Sequence, residues 1–404
     1  MSTASSDSGT ALSTPSPAPA RSTRLPLAGL LALFTAAFTA VMTELLPAGL
    51  LPGMSRSLQV SEGRVGFLVT GYAAASFVAA IPLTAALRGV RRRPVLIGAL
   101  AGFALCNAVT ALSSAYWPTF GARLLAGVMG GTLWAMLAGY AARMVPAERR
   151  GRAIAIVLAG ITVALSLGIP AGTALASLAG WRAAFGTVAV LAGALVPWVV
   201  RRVPDFPGEP AAERVPLRAI AAVPGIAAVL ATTLLLLLGH QTMYTYMAPF
   251  SAHAGFGRTG LLLLVFGAAT VAGIWLTGAL IDRHPRATLL AALAAIAAAQ
   301  LALGLFGARP AVLLTAVAAW GVAFGGAPTL IQTALVRISG PSRADVATAM
   351  QTTVYNAGIA AGSLAGGLVL ESTGAGALPW TALPLIAAAL VVVGTARRHA
   401  YPGR

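Results

Sequence analysis

Long runs of apolar residues, each interrupted by a short polar stretch, dominate the chain from residue 27 onward. A helix needs about 20 mostly apolar residues to cross the hydrocarbon core of a bilayer. Twelve runs meet that length: 27–52, 65–87, 94–113, 117–143, 152–178, 183–200, 222–250, 259–281, 287–306, 310–336, 344–371 and 378–396. Span 6 is the shortest, and Pro224 blurs the start of span 7. The alternation of apolar and polar residues that a membrane β-barrel strand requires is not seen. The pattern therefore predicts an all-α membrane protein of twelve transmembrane helices, since helices satisfy their own backbone groups in lipid.

The spans repeat. GIPAG at 168–172 in span 5 is echoed by GIAAG at 358–362 in span 11, an offset of 190 residues. Gly127, Gly130 and Gly131 in span 4 are echoed by Gly321, Gly325 and Gly326 in span 10, at offsets of 194 and 195. The loop after span 2 ends in Arg93 and the loop after span 8 in Arg286, 193 residues later. Small residues recur in any helix-packing surface, but three matches in the same order point to two pseudo-symmetric six-helix bundles. The expected organisation is a disordered tail over 1–24, a bundle over 25–200, a linker over 201–218, a second bundle over 219–397 and a short tail over 398–404. Parallel repeats of this kind occur in secondary transporters, with the substrate site between the halves near mid-membrane.

Composition narrows the class. Of 404 residues, 58% are hydrophobic and 9% charged, against about 45–50% and 25% in soluble domains. A soluble enzyme is excluded on that ground. The net charge of +17 comes from scattered arginines, without a single lysine, and gives no basic face for nucleic acid. Those arginines sort by side. Segments on the side of both termini carry 21 of them, the opposite loops carry five (Arg56, Arg64, Arg182, Arg258, Arg309), and Arg123 lies inside span 4. The positive-inside rule places both termini in the cytoplasm. Ala-, Gly- and Arg-rich usage without lysine suggests a high-GC bacterium, hence its plasma membrane. Cys106 is alone, so no intrachain disulfide can form. His240, His253, His284 and His399 lack metal-ligand spacing. No metal or organic cofactor is expected. GxxxxGK[ST] is absent, so ATP drive is not expected either; the proton gradient would supply the energy.

Glu44 is the one acid well inside a span. An intramembrane carboxylate is costly and marks function by default, and a carboxyl group in low-dielectric surroundings can hold a proton near neutral pH. Glu44 lies roughly 12 Å, and Arg123 roughly 9 Å, inside the outer ends of their spans. That permits an ion pair, with Glu44 as the proton-coupling group and Arg123 modulating its charge. Polar and aromatic side chains within spans are candidates to line a wet central cavity: Tyr72, Trp134, His240, Gln241, Tyr244, Thr245, Tyr246, Gln332, Gln351 and Asn356. His240 is a possible second titrating group, with an ordinary interhelical hydrogen bond the favoured role. The same residue types also form interfacial belts and helix-joining contacts.

With those residues in view, the chain resembles the major facilitator superfamily. The resemblance is to its drug:proton antiporter branch and the pattern of bacterial arabinose-efflux and chloramphenicol-resistance permeases. Its carriers are TELLPAGLLP (43–52), RLLAG (123–127), GIPAG with GWRAAF (180–185), YTYMAP (244–249), GALIDR (278–283) and NAGIAAG (356–362), together covering about residues 27–396. The resemblance implies several roles. Gly160, Gly168, Pro170 and Gly172 correspond to the antiporter motif, at the interface of the halves. Gly278, Asp282 and Arg283 correspond to the cytoplasmic-loop motif, in which Gly278 permits close helix approach. Arg123 matches an arginine–x–x–x–glycine motif. The equivalent first-half loop, LRGVRRRP (87–94), has Gly89 where the second has Asp282, and so lacks the acid. The expected activity is proton-coupled export of a small, largely apolar organic compound or drug by a monomer working through alternating access. A sugar or sugar-derivative exporter of the same superfamily is the alternative. A nutrient importer, a membrane enzyme and a non-transporting sensor fit less well: they are countered by the span-5 motif, by the lack of a catalytic constellation and by the short loops, respectively.

Overall fold

A computed structural model describes residues 25–87, 89–208, 222–281, 283–340, 344–397 and 400–401. The expected tail over 1–24, most of the linker and Asp282 lie outside the described residues.

The first half comprises α1 (Leu27–Leu58), α2 (Glu62–Leu87), α3 (Arg92–Leu112), α4 (Tyr116–Arg143), α5 (Arg150–Val163), α6 (Ile169–Ala179) and α7 (Trp181–Arg202). A π-helical turn over Ala164–Gly168 joins α5 to α6, and the three form one crossing. The second half comprises α8 (Ile226–Tyr244), α9 (Met247–His253), α10 (Thr259–Leu280), α11 (Pro285–Phe306), α12 (Pro310–Ser339), α13 (Ala344–Ser372) and α14 (Leu378–Thr395). Eleven described stretches are long and apolar enough to cross a membrane. The 26-residue α2, wedged between α1, α4 and α13, supplies the twelfth crossing.

Differences from the expected limits have local causes. α1 continues six residues past 52, through Pro47 and Pro52, and ends at Gln59 in the left-handed region (φ 54°). Span 7 starts at Ile226, after a Pro224–Gly225 turn with Gly225 at φ 95°. It then breaks between Tyr244 and Met247. Pro249 has no N–H to offer the Thr245 carbonyl four residues earlier, so the helix cannot run straight through. Pro170 likewise cannot pair with Ser166, and the helix widens there, with Ile169 N–H donating to Ala164 O. Gly180, at φ 84°, is the single residue turning α6 into α7, a backbone shape that a side chain would strain.

Contacts between helix ends group them on two opposite sides of the fold. On the side of the termini, Gly29 lies against Met144 and the Arg202 carbonyl, and Tyr140 Oη donates to Pro204 O at 2.7 Å. On the far side, Arg182 donates to Ser57 Oγ (2.6 Å) and Ser113 O (2.9 Å), and Tyr116 Oη donates to Arg64 O (2.9 Å).

The repeat survives in the packing. Gly127 and Gly131 of α4 press on the Tyr72 and Ser76 carbonyls of α2; Gly321 and Gly325 of α12 press on the Phe266 and Thr270 carbonyls of α10. Gly160, Gly168 and Gly172 pack on α1, just as Gly358 and Gly362 pack on α8. The halves meet along α2 with α13, along the π turn and α6 with α10, and where α1 meets α9 and α10. The apolar core is unevenly shared. One core fills the second bundle and continues into the far-side half of the first, through Leu46, Leu51, Met54, Val65, Leu68, Trp181 and Phe185. The terminal-side half of the first bundle has a separate core around Leu30, Leu33, Leu100, Phe103, Leu137 and Val199. Among the described residues, the apolar core shared by the two halves lies on the far side of the seam.

Candidate functional site

The intramembrane charges meet near the middle of α1. Extending α1 to Leu58 puts Glu44 roughly 21 Å from its far-side end, deeper than the shorter span implied. Glu44 and Arg123 are both buried, 6% and 1% exposed. The ion pair permitted by their depth does not form. The guanidinium of Arg123 points to backbone: Nη1 donates to Thr43 O, and Nη2 donates to Glu44 O at 2.9 Å. The cause lies four residues on. Pro47 lacks the N–H that would bond the Thr43 carbonyl inside the helix, so that acceptor needs a donor from elsewhere. Asn107 of α3 adds a second tie, donating to Thr43 Oγ1 (2.9 Å) and Phe103 O (2.8 Å). The Arg123 guanidinium carbon lies 5.0 Å from the Tyr72 ring centroid, a cation–π contact. Glu44 Oε1 is buried with no hydrogen-bond partner among the described residues. The carboxylate lies within electrostatic range of Arg123, of Tyr72 and, across the seam, of Tyr355 on α13.

The cavity candidates fall into different surroundings. Tyr72 is wedged between α2 and α4, its hydroxyl against Gly130. His240 and Tyr244 belong to an aromatic nest with Phe266, Trp320 and Phe324, in which the His240 ring stacks on Phe324 at 3.6 Å and 8°. The interhelical hydrogen bond expected for His240 is not made by its Nδ1, which has no partner among the described residues; neither does Gln241 Nε2 nor Trp320 Nε1. Tyr246 Oη donates to Ser363 O at 2.6 Å, and Thr245 Oγ1 meets Ser363 Oγ at 3.0 Å, so both join α13 at the far side. Gln351 donates to Thr233 Oγ1 at 3.4 Å, and Asn356 bonds Thr352 O within its own helix. Gln332 is exposed. Trp134 alone of the set is half-buried against both cores. A surface pocket among Phe250, His253, Leu303, Gly304 and Gly376 lies at the far-side rim of the second bundle and contains none of these residues.

Two details differ from what the resemblance implies: the span-5 segment runs along the seam through the π turn and α6, yet its glycines face away from it. Gly160, Gly168 and Gly172 face α1 of their own bundle: a methyl group at Gly160 would strike the Phe34 carbonyl, and one at Gly172 would sit 2.6 Å from Leu46. The residues of span 5 that meet the other half are Leu165, Ser166 and Thr173, against Gly267 and Gly260 of α10. Gly278 is exposed, with no neighbour among the described residues where a side chain would go, so no described helix approaches closely there. Gly273, pressed on the Val322 carbonyl, permits that approach five residues earlier. Arg283 is exposed, and Asp282 lies outside the described residues.

The acid missing from the first-half loop is supplied by the start of the linker. Asp205 Oδ2 accepts from Arg91 Nε at 2.6 Å, and Oδ1 accepts from the Arg93 N–H at 3.1 Å. Arg92 N–H donates to Phe206 O at 2.9 Å. Two N–H groups that α3 leaves open at its start are thus met from outside the helix. Partial desolvation pushes the Asp205 carboxyl up. The Arg93 N–H, the Arg91 hydrogen bond and the two guanidinium charges outweigh it and hold the group below the usual carboxylate range.

The sequence matches the Major Facilitator Superfamily over residues 33–363 and again over 251–402. The chain is similar to the "Probable sugar efflux transporter" of Helicobacter pylori (strain P12), 26% identical over 341 residues, covering 84% of this chain and 87% of that protein. It is also similar to the "Purine ribonucleoside efflux pump NepI" of Escherichia coli (strain K12), 28% identical over 349 residues, covering 85% and 88%. Twelve crossings in two echoing bundles and a match spanning nearly all of them make this chain a member of the Major Facilitator Superfamily, a membrane transporter and not an enzyme.

Proposed function

We propose that this protein exports a small organic solute from the bacterial cytoplasm by alternating access, taking up a proton in exchange. It would do so as a monomer, with the terminal side in the cytoplasm. The observation that carries this reading is the uneven core among the described residues: the halves share apolar packing on the far side, while the terminal-side half of the first bundle has a core of its own. A transporter resting closed to the outside and open to the cytoplasm would look like this. Export is favoured by the printed names of both relatives, which are efflux proteins. The arginine excess on the terminal side supports the orientation.

Glu44 is the coupling group of this reading. It is buried, one carboxylate oxygen has no partner, and Arg123 beside it is engaged with backbone. Nothing locks Glu44 in an ion pair, so its proton can leave when the seam opens to the cytoplasm and return when it opens outside.

The solute is a small, largely apolar compound of antimicrobial type on the composition of the spans. The relatives' names favour a second reading, a sugar or nucleoside. Susceptibility profiling in an efflux-deficient host tests the first, comparing wild type with Glu44→Gln and Arg123→Ala. Wild type should raise tolerance to at least one compound severalfold, and Glu44→Gln should abolish the gain at unchanged protein level. If no compound separates the three, the antimicrobial reading fails. Efflux of labelled sugars and nucleosides from loaded vesicles, with and without a proton gradient, then decides the second reading. Gradient-independent export, or full export by Glu44→Gln, would remove Glu44 from the coupling role.

A further inference from the structure

We propose that Tyr246 is the bolt of the far-side gate, and that its socket is the glycine pair Gly66 and Gly367, one from each bundle. The proposal rests on the alternating-access reading above.

Tyr246 stands in the break of span 7, between α8 and α9, where Pro249 has released the Thr245 carbonyl. Its side chain is fully buried. The hydroxyl donates to Ser363 O of α13 at 2.6 Å, and the ring lies along Gly366, where a methyl group would sit 2.7 Å from it. These contacts belong to the second bundle and give the ring a fixed seat.

The tip reaches across the seam. A methyl group at Gly66 on α2 would overlap the Tyr246 hydroxyl and the ring carbons beside it, and one at Gly367 would lie 2.6 Å from the same hydroxyl. Phe67 of α2 closes over Gly367 from the other side, 2.7 Å from such a methyl group. Glycine is needed at Gly66 and Gly367 because a tyrosine tip occupies the volume that a Cβ would take. Just outside the socket, Ser61 donates to Glu371, a second tie between α2's leading loop and the end of α13. Opening the far side must part α2 from α13, which draws Gly66 off the tyrosine and breaks the Ser61–Glu371 tie.

Tyr246 is thus a positioning residue for the transport cycle and does not line the solute path in this state. The break at Pro249 lets it withdraw without unwinding a continuous helix. Because the socket is matched in shape, filling it by one methyl group shifts the equilibrium toward the far-side-open state.

The test is cross-linking of full-length protein in proteoliposomes. It uses a Cys106→Ser background carrying Ser61→Cys and Glu371→Cys and a short bifunctional thiol reagent. The parent pair should link efficiently, and linking should abolish efflux of whichever labelled sugar, nucleoside or antimicrobial the unlinked protein exports. Adding Gly66→Ala should lower the yield at least threefold. Tyr246→Phe, which keeps the ring and loses the Ser363 bond, should lower it about twofold and serves if Gly66→Ala fails to fold. Combining Gly66→Ala with Tyr246→Ala should restore linking toward the parent yield. If Gly66→Ala and Tyr246→Phe both link like the parent while linking still abolishes flux, the bolt is wrong and alternating access stands. If the linked protein transports at full rate, alternating access itself fails.

Discussion

An arginine inside a bilayer can be satisfied by a carboxylate or by carbonyls, and the choice decides what its neighbour is free to do. Arg123 takes the carbonyls of Thr43 and Glu44. Both charged residues and their similar depth are legible in the sequence and permit an ion pair, but the partners Arg123 takes are not, because a backbone carbonyl carries no letter. The one available signal was Pro47, four places after Thr43, which announces an acceptor without its helical donor. A double-mutant cycle tests this account. Arg123→Met should lower the melting temperature of the purified protein, since a buried carbonyl left unpaired costs about 1–3 kcal/mol. In a Pro47→Ala background, the restored N–H can serve Thr43, and the same substitution should cost about 1 kcal/mol less. Equal losses in both backgrounds would mean that the Thr43 carbonyl is not what Arg123 holds. The far-side ties of Tyr246 and Glu371 were hidden for a similar reason: their partners are a carbonyl, a serine and two glycines.

At the scale of the helix, the spans were legible because a bilayer dictates their length, and the glycine echoes were legible because close helix packing excludes side chains. The facing partner was not, because it depends on how each helix is rotated. GIPAG could point at either bundle, and it points at α1. The start of α3 shows the same limit. Three arginines read as topology signals, yet Arg91 and the backbone of Arg92 and Arg93 are met by Asp205 and Phe206, more than a hundred residues away. This strap makes a pH prediction. The carboxyl of Asp205 is held below its ordinary value. A group depressed in the folded state adds stability that is complete above its unfolded pKa, near 3.9, and lost as pH falls through the folded value. Wild type should therefore melt higher than Asp205→Asn by a constant margin from pH 7 to 5, and the margin should close below about pH 4. A margin that persisted at pH 3 would show that the Asp205 charge is not what secures the strap.

For the whole molecule, the two cores set what each half can do alone. The first bundle owns the core of its terminal-side half, but its far-side half shares a core with the second bundle. A half expressed by itself would uncover Gly49, Gly66 and Phe67, which in the intact protein lie against Leu263, Tyr246 and Gly367 of the second bundle. Lipid can cover apolar surface, so the driving force for reassembly is packing and polar ties rather than escape from water. The glycine faces are shaped for close backbone approach, and lipid chains fill such grooves poorly. The chain can therefore be divided within 209–221 and the halves co-expressed. They should copurify at near one-to-one ratio and recover transport, because no described crossing is completed by the linker. Gly267→Leu, which would drive a side chain into the Ser166 backbone across the seam, should reduce copurification severalfold while leaving each half in the membrane. Gly160→Leu should act differently, since Gly160 packs inside the first bundle: it should lower the level of that half whether or not its partner is present. If both substitutions behaved alike, the division into a bundle-internal face and a seam face on span 5 would fail. The site of Glu44 and Arg123 would then have to be placed on a different wall.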